Sequence, residues 1–591
     1  MSLSDPLVYN FPFKNQSIDK LESSITDEYQ ENSKYLLDFP TVYVINDSKA
    51  SKYQQRYTVY VGETSNIRYR TAQHISREDE EWSKLIDSGS SNLYVIGHDY
   101  FNKSLTLDVE NKLMLYLSSL PNVEKVLNRK TNEQNIYYTE EHLESLFKKI
   151  WEKLREKDSK LFLDMAEIHD SAIFKASPFH KLTDEQRKSK DNIELKIREV
   201  LASDSDEHEL VVVSGEAGSG KTILLTSLFY SLYKDGRLSD DEEVDFMDEG
   251  LNVHLLVNHN QQFTVYSDIA NRLDMKDPNG KLPVAKPTPF IRNNEPGEDI
   301  DVLLIDEAHT LLTRGKYSYQ GSNHLDDLLK RAKVVVAVFD RNQIVATESF
   351  VEDEDYEEMI GTAEERGNLI ELHNQMRIKS NKNTVQWIRN ITDEYRIDNI
   401  PHDNEYDIKI FDSPVSLHKA IKKKAENQDR GISRLVATFD WEYSGASRPT
   451  DKENWDVSIG DWSLPWNLQL DIDPKQKFMK KRLSWAEQNQ TINEVGSTFT
   501  VQGFDLNYVG LIIGPSVKYR DGNVIFDPSE SKNKNATQNR TLKSGKKQKF
   551  GEFLLKNELN VLLTRGVYGL YIYAVDEELQ EQLEKAARGE L

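Results

Sequence analysis

The chain contains no cysteine among its 591 residues. This absence excludes disulfide bonds, thiolate nucleophiles, iron–sulfur clusters and sulfur-ligated zinc sites. No apolar run approaches the roughly 18 residues that span a bilayer, and the longest conspicuous run, 334–339, has the length of a buried strand. The first residues have neither the basic nor the apolar segment of a secretion signal. We therefore expect a cytoplasmic protein with no membrane partner.

Basic residues are outnumbered: 75 Lys and Arg residues face 99 Asp and Glu residues, which gives a net charge of -24 and a pI near 5.1. Such a chain does not present a uniformly basic coat to nucleic acid, although a local basic channel is compatible with this charge. The length predicts about three to five domains of roughly 100–200 residues each.

The hydrophobic pattern changes along the chain. In the first 150 residues, the β-rich runs 41–45 and 57–61 predict a hairpin, and helices are expected from about Ile67, over Leu105 to Leu120 and over roughly Glu140 to Glu156. The charged stretch 157–206 reads as a connector. Farther along, short β-branched runs alternate with helical stretches at 210–214, 253–257, 301–305, 334–339, 434–438, 509–513 and 569–575. This alternation predicts two parallel sheets with helices on their faces and a break between about 365 and 410.

A complete phosphate-binding loop, Gly-Glu-Ala-Gly-Ser-Gly-Lys-Thr, occupies 215–222 between a predicted strand and a predicted helix. Its glycines allow backbone N–H groups to surround phosphate oxygens at a helix N-terminus. Lys221 is expected to reach the β- and γ-phosphates, and Thr222 to ligate Mg²⁺. The nucleotide-binding residues predicted here are Gly215, Gly218, Ser219, Gly220, Lys221 and Thr222, and the predicted cofactors are ATP and Mg²⁺.

A second motif, Val-Leu-Leu-Ile-Asp-Glu-Ala-His, occupies 302–309. A buried strand that ends in two carboxylates delivers them to the same sheet edge as the phosphate loop. We expect Asp306 to hold Mg²⁺ and Glu307 to polarise the attacking water.

From about 173 to 580, these and other motifs resemble a superfamily 1 helicase core, closest to the bacterial helicase-like domains related to Schlafen proteins. The resemblance implies two RecA-like lobes and names Gln186 as the adenine reader, Gln343 as the γ-phosphate sensor, Arg377 and Arg565 as arginines that reach the phosphates, and 496–505 as the segment that joins ATP to nucleic acid. Each arginine could instead form a surface ion pair. Asp505 stands where the family usually has Glu.

The N-terminal hairpin and the helix after it carry a second set of candidate residues. Arg70 and His74 are four residues apart and share one helix face, and Glu110 lies on a later helix. Phenol, guanidinium, imidazole and carboxylate groups suit metal-dependent phosphodiester hydrolysis. Tyrosine on a hairpin and arginine on a helix, however, are more often packing and surface residues.

Residues 40–130 resemble the GIY-YIG nuclease family. Thr41-Val42-Tyr43 stands at the first signature and Tyr60-Val61-Gly62 at the second. The resemblance assigns catalytic roles to Tyr43, Tyr60, Arg70 and His74, makes Glu110 the ligand of Mg²⁺ or Mn²⁺, and matches Asn128 to the late Asn of the family. Two departures are Thr41 in place of Gly and a longer loop, 46–56, between the signatures. The alternative is a retained fold that only binds nucleic acid.

Two further features bear on nucleic-acid contact. The segment 531–549 has seven Lys or Arg residues and no Asp or Glu, and reads as a mobile loop that either contacts phosphates or only solubilises the chain. Five tryptophans of the second lobe either stack on bases or pack in the core: Trp441, Trp455, Trp462, Trp466 and Trp485.

The predicted fold class is α/β: a small GIY-YIG-like domain (1–156), a connector with the adenine-reading segment (157–206), and RecA-like lobes at 207–375 and 376–591. The predicted function is an ATP-dependent translocase or helicase coupled to a metal-dependent endonuclease. It would act on DNA with a single-stranded part, and such a fusion suits defence against phage or plasmid DNA. The alternatives are a DNA repair or recombination nuclease-helicase, and an ATP-gated sensor whose nuclease fold only docks nucleic acid. RNA as substrate and translocation without unwinding are also compatible with the sequence.

Overall fold

The fold was analysed in a computed structural model of the chain. The structure describes residues 3–14, 20–50, 55–75, 85–86, 88–128, 137–169, 171–203, 207–235, 251–277, 280–297, 300–316, 319–426, 432–450, 452–479 and 483–591. The acidic run 240–249, which the sequence predicts to be solvated, lies outside these residues.

The chain forms two compact units. The first unit comprises Met1–Leu182, Tyr230–Gly250 and Tyr266–Pro283, and the second comprises Thr183–Phe229, Leu251–Val265 and Val284–Leu591. The domain boundaries given by the sequence stay predictions, because this division follows packing and not motif borders.

A five-stranded sheet forms the core of the first unit. Its strands lie in the order Leu7–Pro12, Asn92–Gly97, Thr41–Ala50, Gln55–Thr64 and Val123–Val126, antiparallel except for the last pair. The predicted hairpin is present, but its strands extend through most of the region expected to be a loop between the signatures. The register places Tyr43 opposite Gly62, so the two signature segments lie side by side.

Helices pack beside this sheet. Their bounds are Leu21–Tyr29, Lys34–Leu37, Ile67–Ile75, Lys103–Ser119, Leu143–Lys157, Met165–His169 and Ala172–Lys175. The helix that carries Glu110 begins after Asn102, whose side chain accepts a hydrogen bond from the Leu105 amide and so caps the helix. Leu146, Ile150 and Leu154 share one face of a later helix and are buried, as their helical spacing requires.

The second unit contains a parallel sheet of six strands, the first parallel sheet. Its order is Leu369–Leu372, Glu209–Gly215, Val334–Phe339, Val302–Asp306, Val253–Val257 and Val284–Ala285. The associated helices are Asp184–Leu201, Lys221–Asp235, Asn260–Arg272, Pro287–Asn293, His324–Leu329 and Asp353–Glu365. Its central strands are continuous apolar runs because helices cover both faces of such a sheet.

The same unit contains a second parallel sheet of five strands. Its order is Asp407–Ile410, Gly566–Ala574, Leu506–Ile513, Ser433–Ala437 and Val495–Gly496. Its helices are Lys382–Asp393, Pro414–Ala425, Thr498–Val501, Lys534–Thr537, Gly551–Leu563 and Glu577–Arg588, and three small hairpins join Asp456–Ile459 to Trp462–Pro465, Val517–Arg520 to Asn523–Phe526, and Arg540–Thr541 to Lys547–Gln548. The predicted α/β class with parallel sheets is confirmed.

Local structure in three places bears on expectations from the sequence. The stretch 157–206 contains three helices, the longest being Asp184–Leu201, and its role as a connector stays a prediction. The basic segment 531–549 is not a loose loop: it contains a helix and a small hairpin, and Arg540 within it is buried. Trp466 and Trp485 are fully buried, so these two pack in the core and do not offer a face to bases. Across the described ranges, no helix is long and apolar enough to cross a bilayer.

Candidate active sites

The phosphate-binding loop lies at the carboxyl edge of the first parallel sheet. The strand Glu209–Gly215 leads into the loop, and the helix that follows begins at Lys221. The neighbouring strands Val302–Asp306 and Val334–Phe339 end at the same edge because all three run parallel. Topology therefore brings Asp306, Glu307 and Asp340 to the loop from distant parts of the chain.

Two glycines of the loop are required by close packing. Gly218 and Gly220 have φ values of 89° and 78°, where a side chain is disfavoured. A Cβ atom on Gly218 would lie 2.5 Å from the Arg377 Cβ, and one on Gly220 would lie 2.2 Å from the Gln186 Nε2. The loop thus packs directly against both segments that the sequence assigned to nucleotide contact.

Lys221 is buried over the loop. Its Nζ donates to the carbonyl oxygens of Gly215 at 2.6 Å and Glu216 at 2.8 Å, and lies 3.6 Å from the Asp340 carboxylate. Burial lowers the pKa of Lys221, and the charges of Asp340 and Glu307 oppose that effect. The amine therefore lies at the phosphate loop beside the Asp340 carboxylate.

Thr222 and Asp306 meet at the sheet edge. The Thr222 hydroxyl lies 3.5 Å from the Asp306 carboxylate, and Asp306 is almost completely buried. A hydroxyl beside a buried carboxylate is an oxygen donor set that suits Mg²⁺, so these residues fit the predicted metal.

Glu307 adopts a left-handed backbone conformation with φ of 50°, an uncommon state that clusters at functional sites. Its carboxylate lies 2.9 Å from the His309 Nε2. Burial by itself would raise the pKa of Glu307, but His309, Arg565 and Lys221 hold that pKa below its usual range. The carboxylate is therefore ionised at neutral pH, as a group that orients water must be.

Arg565 directly precedes the strand Gly566–Ala574 of the second parallel sheet. It is completely buried, and its guanidinium donates to the Gln343 Oε1 at 3.1 Å and to the Val561 carbonyl at 3.0 Å. Gln343 in turn donates to Asp340 at 2.7 Å. Burial and repulsion from Arg377 lower the pKa of Arg565 to about 10, which leaves it charged. The two predicted residues Gln343 and Arg565 are thus in direct contact.

Arg377 forms an ion pair with Asp505, the residue that stands where the family has Glu. The preceding segment packs on the phosphate loop, since the Met376 amide donates to the Gly218 carbonyl at 2.8 Å. The ion pair is partly buried, with side chains 16% and 27% exposed, and contact of Arg377 with the phosphates stays a prediction.

Gln186 caps its own helix and touches the phosphate loop. Its Oε1 accepts from the Thr183 amide at 2.9 Å, and its Nε2 donates to the Gly220 carbonyl at 3.2 Å. This is a capping box in which the glutamine side chain also reaches the nucleotide loop. Adenine reading by Gln186 stays a prediction.

One contact at this site was not predicted from the sequence. Gln502 Nε2 lies 3.2 Å from the His309 Nε2 and 3.2 Å from the Gln343 carbonyl oxygen, and all three side chains are buried. The position of Gln502 within the 496–505 motif was the available signal. Gln502 therefore links the carboxylate motif at 302–309 to the part of the sequence that forms the second parallel sheet.

The first unit gathers the other candidate residues. The Tyr43 hydroxyl lies 2.7 Å from the His74 Nε2 and accepts from the Arg70 Nε at 3.2 Å, and the Tyr60 ring centroid is 5.2 Å from that of His74. Tyr43 and His74 are fully buried. Burial raises the pKa of Tyr43 far above its usual value, so its hydroxyl is neutral.

Backbone packing explains the signature residues around this cluster. A Cβ on Gly62 would lie 2.4 Å from the Tyr43 hydroxyl, so the phenol passes directly over a glycine on the neighbouring strand. Asn128 holds the same strand, because its amide accepts from the Val61 N–H at 2.9 Å and donates to the Val61 carbonyl at 2.6 Å. Asn128 is therefore a positioning residue here.

Glu110 is a buried carboxylate with no hydrogen bond or ion pair to any residue in the described part of the chain. Burial, followed by repulsion from Glu63, raises the pKa of Glu110 to about 8. Glu63 pairs with Lys103 through one oxygen, and its other oxygen is buried without a partner. The sequence reasoning missed Glu63, whose only signal was its place directly after the second signature.

The carboxylates of Glu110 and Glu63 repel each other, and both are suitable ligands for a hard cation. Two buried carboxylate oxygens without partners, on groups that repel, are satisfied by a divalent metal. The described residues contain no group of three or more His, Asp or Glu side chains that could hold a metal ion, so a site here would rest on two carboxylates.

Comparison with known proteins identifies the larger part of the chain. A family model described as "Schlafen group 3, DNA/RNA helicase domain" matches residues 208–576, which include both parallel sheets and the site residues from Gly215 to Arg565. The Saccharomyces cerevisiae protein named Uncharacterized protein YPL245W is 30% identical over 440 residues, which cover 68% of this chain and 90% of that relative. The chain therefore belongs to the Schlafen group 3 family of DNA/RNA helicase domains.

Proposed function

We propose that this helicase-family chain is an ATP-driven nucleic-acid motor whose first unit is a GIY-YIG-like endonuclease. The observation that supports the motor is the meeting of Thr222 with Asp306 at the edge where Lys221 and Glu307 also lie. Mg²⁺, when bound with ATP, would neutralise charge on the β- and γ-phosphates. Lys221 would pair with the phosphates, and Glu307 would orient the attacking water.

Coupling to nucleic acid would run through the contacts that join the two parallel sheets. Arg565 and Gln343 touch each other, and Gln502 touches His309 beside Glu307. A cation that approaches the γ-phosphate stabilises the charge spread over its equatorial oxygens. Movement of one sheet against the other would then change both the site and any strand bound across the sheets.

The test separates ATP binding from hydrolysis. Lys221→Ala should weaken ATP binding, whereas Glu307→Gln should keep binding and stop turnover, each measured with and without single-stranded DNA or RNA. Lys518→Ala is a matched control, because that lysine pairs with Asp527 away from the loop. Wild-type hydrolysis in Glu307→Gln would refute the assignment, and turnover that no nucleic acid stimulates would refute the motor.

The nuclease proposal rests on Glu110, the buried carboxylate without a partner, beside the Tyr43, His74 and Arg70 cluster. Glu110, helped by Glu63, would hold one Mg²⁺ or Mn²⁺ ion, which would supply Lewis-acid activation of the phosphodiester. Arg70 would pair with the scissile phosphate. Tyr43, Tyr60 and His74 would hold the proton-transfer network near the attacking water.

Metal-dependent nicking of plasmid DNA tests this reading. Glu110→Ala should abolish nicking and leave ATP hydrolysis unchanged, since Glu110 lies in the other compact unit. Glu124→Ala is the matched control, because Glu124 is exposed and pairs with Arg56 at 3.5 Å. If Glu110→Ala binds and nicks plasmid DNA as the wild type does, the nicking activity has another source and the first unit only docks nucleic acid.

We propose defence against phage or plasmid DNA as the role that suits a motor joined to a nuclease, by analogy of parts. A repair or recombination enzyme would use the same chemistry. Cleavage that requires ATP turnover and ignores lesions or branches supports defence, whereas a preference for branched or damaged DNA supports repair. Nucleic-acid binding gated by ATP without any cleavage supports the sensor.

A further inference from the structure

A cavity of about 810 Å³ lies in the second unit, on a face of the first parallel sheet. Leu210, Phe339 and Ala337 from the sheet form one wall, and Met359 and Ala363 from the helix Asp353–Glu365 form another. None of the phosphate-loop residues lines it. The volume is that of a small-molecule site, and most of its walls are apolar.

The basic segment 531–549 closes one side of this cavity. Arg540 and Lys543 line it, although both lie in the part of the sequence that forms the second parallel sheet. The contact is built by several bonds: Arg540 Nη1 donates to Thr313 Oγ1 at 2.9 Å and to the Thr347 carbonyl at 2.8 Å, and Lys543 Nζ lies 2.6 Å from the Asp355 carboxylate. The bonds of Arg540 and Lys543 therefore fix the segment 531–549 in place beside the cavity.

Among the described cations that line the cavity, all except Arg540 form an ion pair with a carboxylate. Arg314 pairs with Glu348, Arg366 with Glu209, and Lys543 with Asp355. Arg540, only 5% exposed, has no carboxylate partner among the described residues, and its Nε is buried without a hydrogen bond. Phe350 covers the guanidinium, with 5.5 Å between its ring centroid and the Arg540 Cζ.

A buried guanidinium without a carboxylate is costly unless an anion pairs with it. The exposed residues Asp326 and Glu358 also line the cavity and would repel a ligand that carries several negative charges. We propose that the cavity binds a small monoanion with an apolar body, such as an alkyl carboxylate, whose charged group pairs with Arg540.

The geometry assigns separate roles to the parts of this site. The apolar walls at Leu210, Phe339 and Met359 would bury the body of the ligand and supply most of the affinity. Arg540 would supply selection for the charge, because its guanidinium and the carboxylate would form a charge-assisted hydrogen bond. Neither role involves the nucleotide site, so ATP binding should not compete directly.

Three probes that each carry a chain of about ten carbons test the charge requirement: decanoate, decanol and decyltrimethylammonium. Isothermal titration of the full-length protein below micellar concentrations should show one decanoate site. Decanol should bind at least tenfold more weakly, and the cation should not bind. Equal binding of decanoate and decanol, or binding of many decanoate molecules, would overturn the proposal.

Variants assign the binding to this cavity. Arg540→Gln should reduce decanoate affinity at least tenfold and leave decanol affinity unchanged, whereas Arg366→Gln, on the same wall but already paired with Glu209, should change neither. Because Arg540→Gln could also loosen the segment, Thr362→Trp serves as a second variant at an exposed lining position and should block both probes. Decanoate binding that survives Thr362→Trp lies elsewhere and refutes the site.

Discussion

Replacement of Arg565 by Ala is the sharpest test of how the two parallel sheets share the ATP site. Arg565 is 0% exposed and donates to Gln343, which itself contacts Asp340 at the phosphate loop. If the guanidinium acts as an arginine finger, its loss should slow hydrolysis by about 10³-fold or more. That factor corresponds to about 4 kcal/mol of transition-state stabilisation. ATP affinity should fall far less, because the phosphate loop remains complete.

The same substitution also removes packing. Arg565→Ala deletes hydrogen bonds to Gln343 and Val561 and leaves a buried void, which should lower the free energy of unfolding by about 2–4 kcal/mol. Arg434→Ala is the matched control, since Arg434 is buried in the second parallel sheet and bonds to Thr491 and Gln488. It should lose a comparable stability and keep normal turnover.

Single-turnover hydrolysis, ATP titration and thermal unfolding of both variants separate these effects. The arginine-finger reasoning fails if Arg565→Ala keeps turnover within about tenfold of wild type. It also fails if Arg434→Ala loses as much turnover as Arg565→Ala, because the loss would then follow stability. Rescue of part of the rate by Arg565→Lys would support a charge effect.

Three further predictions concern both units. Gly220→Ala should weaken ATP binding at least about tenfold in a titration, because its Cβ would meet Gln186 at 2.2 Å with φ at 78°. Gly62→Ala should lower the unfolding free energy by about 1–3 kcal/mol in denaturant and abolish nicking, since its Cβ would displace Tyr43. The Glu110 pKa, raised from 4.5 to about 8 by burial and then by Glu63, favours the folded state at low pH. Without metal, the free energy of unfolding should therefore fall as pH rises from 4.5 through about 8, and it should fall less in Glu110→Gln. Thermal unfolding in chelator, measured against pH, checks this. The wild type and Glu110→Gln would show the same pH dependence if Glu110 were solvated.

The sequence alone determined the parallel strands and the ATP motifs. Strands such as Val334–Phe339 were readable because a sheet covered on both faces needs a continuous apolar run. The phosphate loop was readable because its glycines and Lys221 are fixed by local backbone geometry. Short edge strands such as Leu369–Leu372 escaped prediction, because they bury too little apolar surface to leave a pattern.

Only the tertiary structure decided which polar groups are paired and which are not. Nothing local in the chain shows that Glu63 repels Glu110, that Gln502 reaches His309, or that Arg540 is buried without a carboxylate. The basic segment 531–549 reads as a solvated loop because its composition is polar, yet it packs against Asp355 and Thr313, which lie far away in the sequence. Such pairings depend on which strands and helices become neighbours, and composition carries no record of that.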